Sequence, residues 1–162
     1  MAVAVMVIGV SALASTVVTG SALNQVSQES ETARKAIETT IDAMRGTPFT
    51  VVFATFNGDA GDDPDGAGTA PGATFVVPGL TAVAGAPGGV AGQIIFPSNG
   101  PALRENAVDT ALGMPRDLNL DGVMDAGDHA ADYMILPVRV RVRWMGKAGP
   151  HTVELQTQLS GL

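Results

Sequence analysis

The sequence predicts an α+β fold: a long N-terminal helix, membrane-spanning in its first half and amphipathic in its second, packed on a small antiparallel β-sheet head. Three observations predict it. An uncharged apolar run opens the chain, a helical-period stripe continues from it, and two alternating segments close it. The organisation that follows is an N-terminal helix over 1–46, with an apolar membrane or filament segment at 1–23, and a β-rich head over 47–162. The head contains long Gly/Pro-rich loops at 57–102 and an acidic loop at 117–128.

The first element rests on length and hydropathy. No charged residue occurs before Glu29, and 16 of the first 23 residues are Met, Ala, Val, Ile or Leu. A helix of that length reaches about 34 Å, against a hydrocarbon core of about 30 Å. Gly9, Ser11, Ala14, Ser15, Gly20 and Ser21 are small enough to let a second helix approach closely. A cleavable signal peptide is the competing reading, since Ala12-Leu13-Ala14 fits a cleavage site, but it wants a positively charged start that is not present. Leu23, Val26, Ala33, Ile37, Ile41 and Met44 then recur at spacings of three, four or seven, with Glu29, Glu31, Arg34, Lys35, Glu38 and Asp42 between them. Arg45 suits the last turn, Gly46 a left-handed cap, and Pro48 cannot extend the run.

In the head, Phe49 to Phe56 is β-branched and aromatic and predicts a strand. Residues 57–102 hold 11 glycines and 6 prolines, which predicts loops, with two short strands at Ala73 to Val77 and Gln93 to Phe96. Leu103 to Leu112 predicts a short helix. Val138 to Trp144 alternates valine with Arg139, Arg141 and Arg143, and Val153 to Leu159 alternates in the same way, with turn residues between. This is a hairpin with a valine face toward the amphipathic helix and an arginine face toward solvent.

Composition limits function. A net charge of −7 from 16 acidic and 9 basic residues argues against binding a nucleic-acid backbone and favours a cation as electrostatic partner. The absence of cysteine excludes disulfides, thiolate nucleophiles and cysteine-ligated metals. His129 and His151 are the only histidines, and neither a nucleophile elbow nor a phosphate-binding glycine loop occurs. No enzymatic activity and no small-molecule substrate are therefore expected, and His129 reads as a surface residue beside Asp128.

The most specific chemical motif runs from Asp117 to Asp128. Asp117, Asn119, Asp121, Asp125 and Asp128 place oxygen ligands at positions 1, 3, 5, 9 and 12, Gly122 stands at the sharp turn, and Val123 offers a backbone carbonyl at position 7. Four carboxylates in so short a loop repel one another until a hard cation neutralises them, which points to Ca²⁺; the bland alternative is an acidic solvated turn. Ala126 to Tyr133 reads as a helix leaving the loop. With Asp128 in place of glutamate at position 12, and Pro115 before it, the loop resembles a dockerin loop more than a paired sensor. A second acidic run, Asn57 to Gly66, lacks that spacing and reads as a solvated loop or a weaker ion site.

The architecture resembles the type IV pilin and type II secretion pseudopilin superfamily. The similarity is carried by Met1-Ala2-Val3-Ala4-Val5-Met6-Val7-Ile8-Gly9-Val10 and by Leu136-Pro137-Val138-Arg139-Val140-Arg141-Val142-Arg143-Trp144, leaving the middle unmatched. The family's basic leader ending in Gly, with Phe-Thr-Leu and Glu after it, is absent. Either the start is truncated or the chain is a degenerate relative. The resemblance implies a structural subunit of a pilus or secretion-type assembly, partnered through the N-terminal helix by other pilin-like subunits and by the membrane. It also implies a single-pass inner-membrane location, with the head in the periplasm or on an extracellular filament. The alternative is an exported binding module using the calcium loop as a dockerin-like recognition surface.

Overall fold

A computed structural model describes residues 2–147 and 149–161, with the side chains of the first helix described from residue 24 onward. Helix α1 spans Ala2–Gly46. Ala33, Ile37, Ile41 and Met44, spaced four, four and three apart, are buried, and their stripe lies against the hairpin that ends the chain. The intervening charged residues stay outside because ionised groups stabilise a helix only where water or a partner reaches them.

Two expectations about this helix are corrected. Among the described residues no helix is long and apolar enough to cross a membrane, which contradicts the membrane-spanning fold class and the single-pass inner-membrane location. The stretch whose packing is seen, residues 24–46, carries Glu29, Glu31, Arg34, Lys35, Glu38, Asp42 and Arg45, a load that hydrocarbon would reject. The side chains of the apolar segment read at 1–23 lie outside the described residues.

Residues Phe49–Phe56 form helix α2, not the expected strand. Phe49, Val52, Phe53 and Phe56 share one helical face, and the last three of them are buried. Phe53 meets Phe96 edge-on at 5.3 Å, and Phe49 meets Tyr133 at 4.9 Å. The Tyr133 hydroxyl donates to the Phe49 carbonyl and accepts from the Phe53 N–H, bridging one turn of α2. Burial raises the Tyr133 pKa above its ordinary value, which keeps the donated proton in place.

The main sheet is antiparallel, with strand order β1–β2–β5–β6, where β1 is Thr74–Phe75, β2 Gly92–Ile95, β5 Ile135–Gly146 and β6 Gly149–Ser160. A separate ribbon pairs β3, Ser98–Asn99, with β4, Ala102–Leu103. Gly92 lies under the Phe75 ring, where an added Cβ would stand 2.4 Å from a ring carbon, so a larger residue there would have to displace the ring. The β5–β6 register sets Val140 opposite Leu155 and Arg141 opposite Glu154. Val138, Val140, Val142 and Trp144 are buried against α1.

The arginine face is less open than expected. Arg139 pairs with Asp109 at 2.9 Å, and Arg141 donates to Gln93 of β2 at 2.7 Å; only Arg143 is exposed. The expected helix at Leu103 to Leu112 is reduced to a 3-10 turn, Thr110–Leu112, because Asp109 accepts from the Ala111 and Leu112 N–H groups and starts the turn there.

Where α1 passes the far end of the hairpin, Glu29 Oε2 accepts from Trp144 Nε1 at 2.9 Å, and Gln25 donates to its other oxygen. These two hydrogen bonds, Trp144's the stronger, hold the Glu29 carboxyl below its ordinary pKa of 4.5. A depressed carboxylate pKa contributes stability above the unfolded value and loses it as pH falls through the folded one. Glu29→Gln is therefore expected to be less stable than wild type at neutral pH and to converge with it in strong acid. Melting temperature against pH, with the fluorescence of Trp144 as local reporter, checks this; a gap independent of pH would refute it.

Candidate metal centre

The acidic loop hangs between β4 and β5 and is tied to both. The Leu118 carbonyl accepts from Met134 N at 2.7 Å and Ile135 N at 3.0 Å, at the start of β5, while the His129 N–H donates to the Leu103 carbonyl of β4 at 3.0 Å. The Leu118 side chain is fully buried and pins the loop to the core.

The first half of the loop winds around its own side chains. Asp117 accepts from Leu120 N at 2.6 Å and from Gly122 N at 2.8 Å. Asn119 Oδ1 accepts from Asp121 N at 3.1 Å, and Asp121 Oδ1 from Val123 N at 2.7 Å. These short-range bonds are what Asp and Asn do best in turns. Leu120 and Gly122 adopt positive φ of 63° and 87°, reversing the chain; glycine does so freely, whereas leucine is held there by Asp117. The Asn119 amide nitrogen donates to Asp121 Oδ2 at 3.3 Å and to Asp132 Oδ2 at 3.1 Å, so two carboxylates converge on one weakly positive group.

The second half departs from the expected ligand set. Asp128 Oδ1 accepts from Leu103 N at 3.0 Å and Ala130 N at 3.1 Å, and so anchors the loop to β4. This engagement, with Gly127 beside it, also replaces the helix expected at Ala126 to Tyr133 with turns. Asp125 turns toward His129, its Oδ1 standing 3.1 Å from His129 Nε2. Val123 is 59% exposed. Thus Asp117, Asn119 and Asp121 are gathered in one turn, joined by Asp132, while Asp125 and Asp128 each serve a different neighbour. Asp117, Asp121 and Asp132 carry the oxygen ligands a hard cation takes, but the Asn119 amide turns its nitrogen to Asp121 and Asp132, and the donor atoms that lie together within 4.8 Å are those of Glu105, Asp125 and His129.

Two residues the motif does not contain complete the centre. Glu105 is fully buried: Oε1 accepts from Leu118 N at 2.6 Å and Asn119 N at 3.2 Å, and Oε2 from Asp125 N at 3.3 Å. His129 is 6% exposed, which corrects its reading as a surface residue. Its Nε2 lies 3.6 Å from Glu105 Oε2, and its Nδ1 lies 3.2 Å from Asp132 Oδ1. Burial alone would lower the His129 pKa, but the Asp125 hydrogen bond, the Glu105 charge and Asp132 together raise it. Asp125 is lowered by the Gly127 N–H and then by His129. The spacing of His129 and Asp132, three apart, was the one local signal for their pairing; Glu105 lies outside the motif with no signal in sequence. The chain matches no family model, no curated protein and no solved structure.

Proposed function

We propose that the chain is a structural, pilin-like subunit whose head is held in shape by a calcium ion in the loop Asp117 to Asp128. The observation that supports this reading is the attachment of the acidic loop to β5 through Leu118, since whatever tightens the loop also tightens the start of the long hairpin. In the absence of a cation, Asp117, Asp121, Asp125 and Asp128 repel one another across one exposed loop. A divalent ion removes that repulsion in the folded state alone, because the unfolded chain does not hold the donors together.

At free Ca²⁺ about 100-fold above its dissociation constant, mass action adds about 2.7 kcal/mol, a rise of several degrees in melting temperature for a domain of this size. Ca²⁺ is therefore expected to raise the melting temperature of wild type and to leave an Asp117→Ala, Asp121→Ala double variant unmoved. Identical wild-type curves with Ca²⁺ and with chelator would refute the calcium part. The subunit part predicts concentration-dependent multimers of the full chain in sedimentation, and a monomer at every concentration would refute it.

A second reading has an observation of its own. Leu120, Val123 and Met124 are 53%, 59% and 58% exposed, an apolar crest on the same loop that suits a calcium-dependent recognition surface. Substituting the three by serine separates the readings: loss of multimers favours a docking crest, and retention favours assembly through the helix.

A further inference from the structure

We propose that Glu105, Asp125 and His129 form a second metal site, adjoining the acidic loop, for a transition-metal dication of the zinc class. It does not depend on the calcium reading. The donor atoms of the three residues lie within 4.8 Å of one another. His129 Nε2 stands 3.1 Å from Asp125 Oδ1 and 3.6 Å from Glu105 Oε2. With metal–ligand bonds of about 2.0–2.2 Å, the ligands of a tetrahedral ion stand about 3.3–3.6 Å apart, so the two separations from His129 Nε2 are close to what such an ion requires, and the two carboxylates lie within 4.8 Å of each other.

The orientation of the imidazole is an independent observation. Asp132 Oδ1 takes the Nδ1 side of the ring at 3.2 Å, which aims Nε2 at the two carboxylates. A histidine ligand commonly has this outer carboxylate, which fixes the tautomer and raises the basicity of the ligating nitrogen. The other two ligands are braced in the same way. Glu105 is held through Oε1 by Leu118 N and Asn119 N and through Oε2 by Asp125 N, and Asp125 is held by the Gly127 N–H on Oδ1, the oxygen that faces His129. Three lone-pair donors facing one another repel unless a proton or a cation lies among them, and two of the three, Glu105 and His129, are more than nine-tenths buried.

The choice of cation follows from the ligands. Calcium and magnesium take oxygen donors, whereas an imidazole nitrogen with two carboxylates suits zinc, cobalt, nickel or copper. Three protein ligands leave a fourth position to solvent on the exposed Asp125 side, where the carboxylate is 57% accessible. Asp125 belongs to both the loop motif and this cluster, so the two ions compete for one residue while the remaining donors stay distinct.

The test uses the full chain, stripped of metal, with Zn²⁺ or Co²⁺ alone as probe. Wild type is expected to retain one Zn²⁺ in equilibrium dialysis against excess Ca²⁺, and Co²⁺ to give visible absorption bands of a low-coordinate ion. His129→Ala should abolish both, and Asp132→Asn should weaken Zn²⁺ binding about 10- to 100-fold. His151→Ala should bind as wild type does. Imidazole NMR of unaltered protein decides the matter even if the His129 variant fails to fold. Zn²⁺ should shift the His129 ring nitrogens and leave His151 alone. No Zn²⁺ binding, binding that moves only His151, or Co²⁺ bands unchanged in a folded His129→Ala protein would each overturn the site. The calcium reading fails by a different result, an unmoved melting temperature with Ca²⁺.

Discussion

Replacing Glu105 by alanine is expected to lower the stability of the metal-free protein by about 3–5 kcal/mol, the largest effect of any polar substitution in the head. The side chain is fully buried and accepts from three backbone N–H groups, those of Leu118, Asn119 and Asp125. Alanine supplies no acceptor, and an orphaned buried donor costs about 1–3 kcal/mol. The substitution also empties a carboxylate-sized volume beside His129, whose Nε2 then faces Asp125 alone. Glu105→Gln keeps an oxygen for Leu118 and Asn119 and is expected to lose less than half as much. Urea unfolding of the three proteins in chelator checks the order, and an alanine variant within about 1 kcal/mol of wild type would show that water replaces the carboxylate without cost.

Ile37→Asp is expected to destabilise by about 3–5 kcal/mol, since it places a charge in the helix–sheet core. Ile37 is 1% exposed, one turn from Ala33 and one from Ile41, on the stripe that packs against β5 and β6. No basic group of α1 shares that stripe: Arg34, Lys35 and Arg45 all lie on the exposed side. Thr39→Asp, on the exposed face, serves as the control and should change stability by no more than about 0.5 kcal/mol. Equal melting temperatures for the two variants would mean that α1 does not pack as described.

The β5–β6 hairpin and the buried stripe of α1 were legible because each repeats a period over many residues. Alternation from Val138 to Trp144 leaves one sensible face for the core, and the four-four-three spacing of Ala33, Ile37, Ile41 and Met44 leaves one helical face. Phe49 to Phe56 is a short β-branched and aromatic run that satisfies both periods. Phe49, Val52, Phe53 and Phe56 also lie on one helical face, and Phe96 and Tyr133, distant in sequence, select the helix. Hydropathy at 1–23 points to a membrane span, whereas the helix seen to pack is the charged stretch after it.

At the metal centre the division is sharper. Sequence alone determined the turn of Asp117, Asn119, Asp121 and Gly122, because Asx side chains bond backbone groups two to five residues away and need nothing from the rest of the chain. Only the tertiary structure decided that Asp128 faces β4, that Asp125 turns to His129, and that Glu105 supplies the buried carboxylate at the centre. Those contacts join residues 13 to 25 positions apart, apart from the His129–Asp125 pair. They form because packing Leu103 and Leu118 into one core brings the two segments together, and buried donors must then find whichever acceptor is in reach.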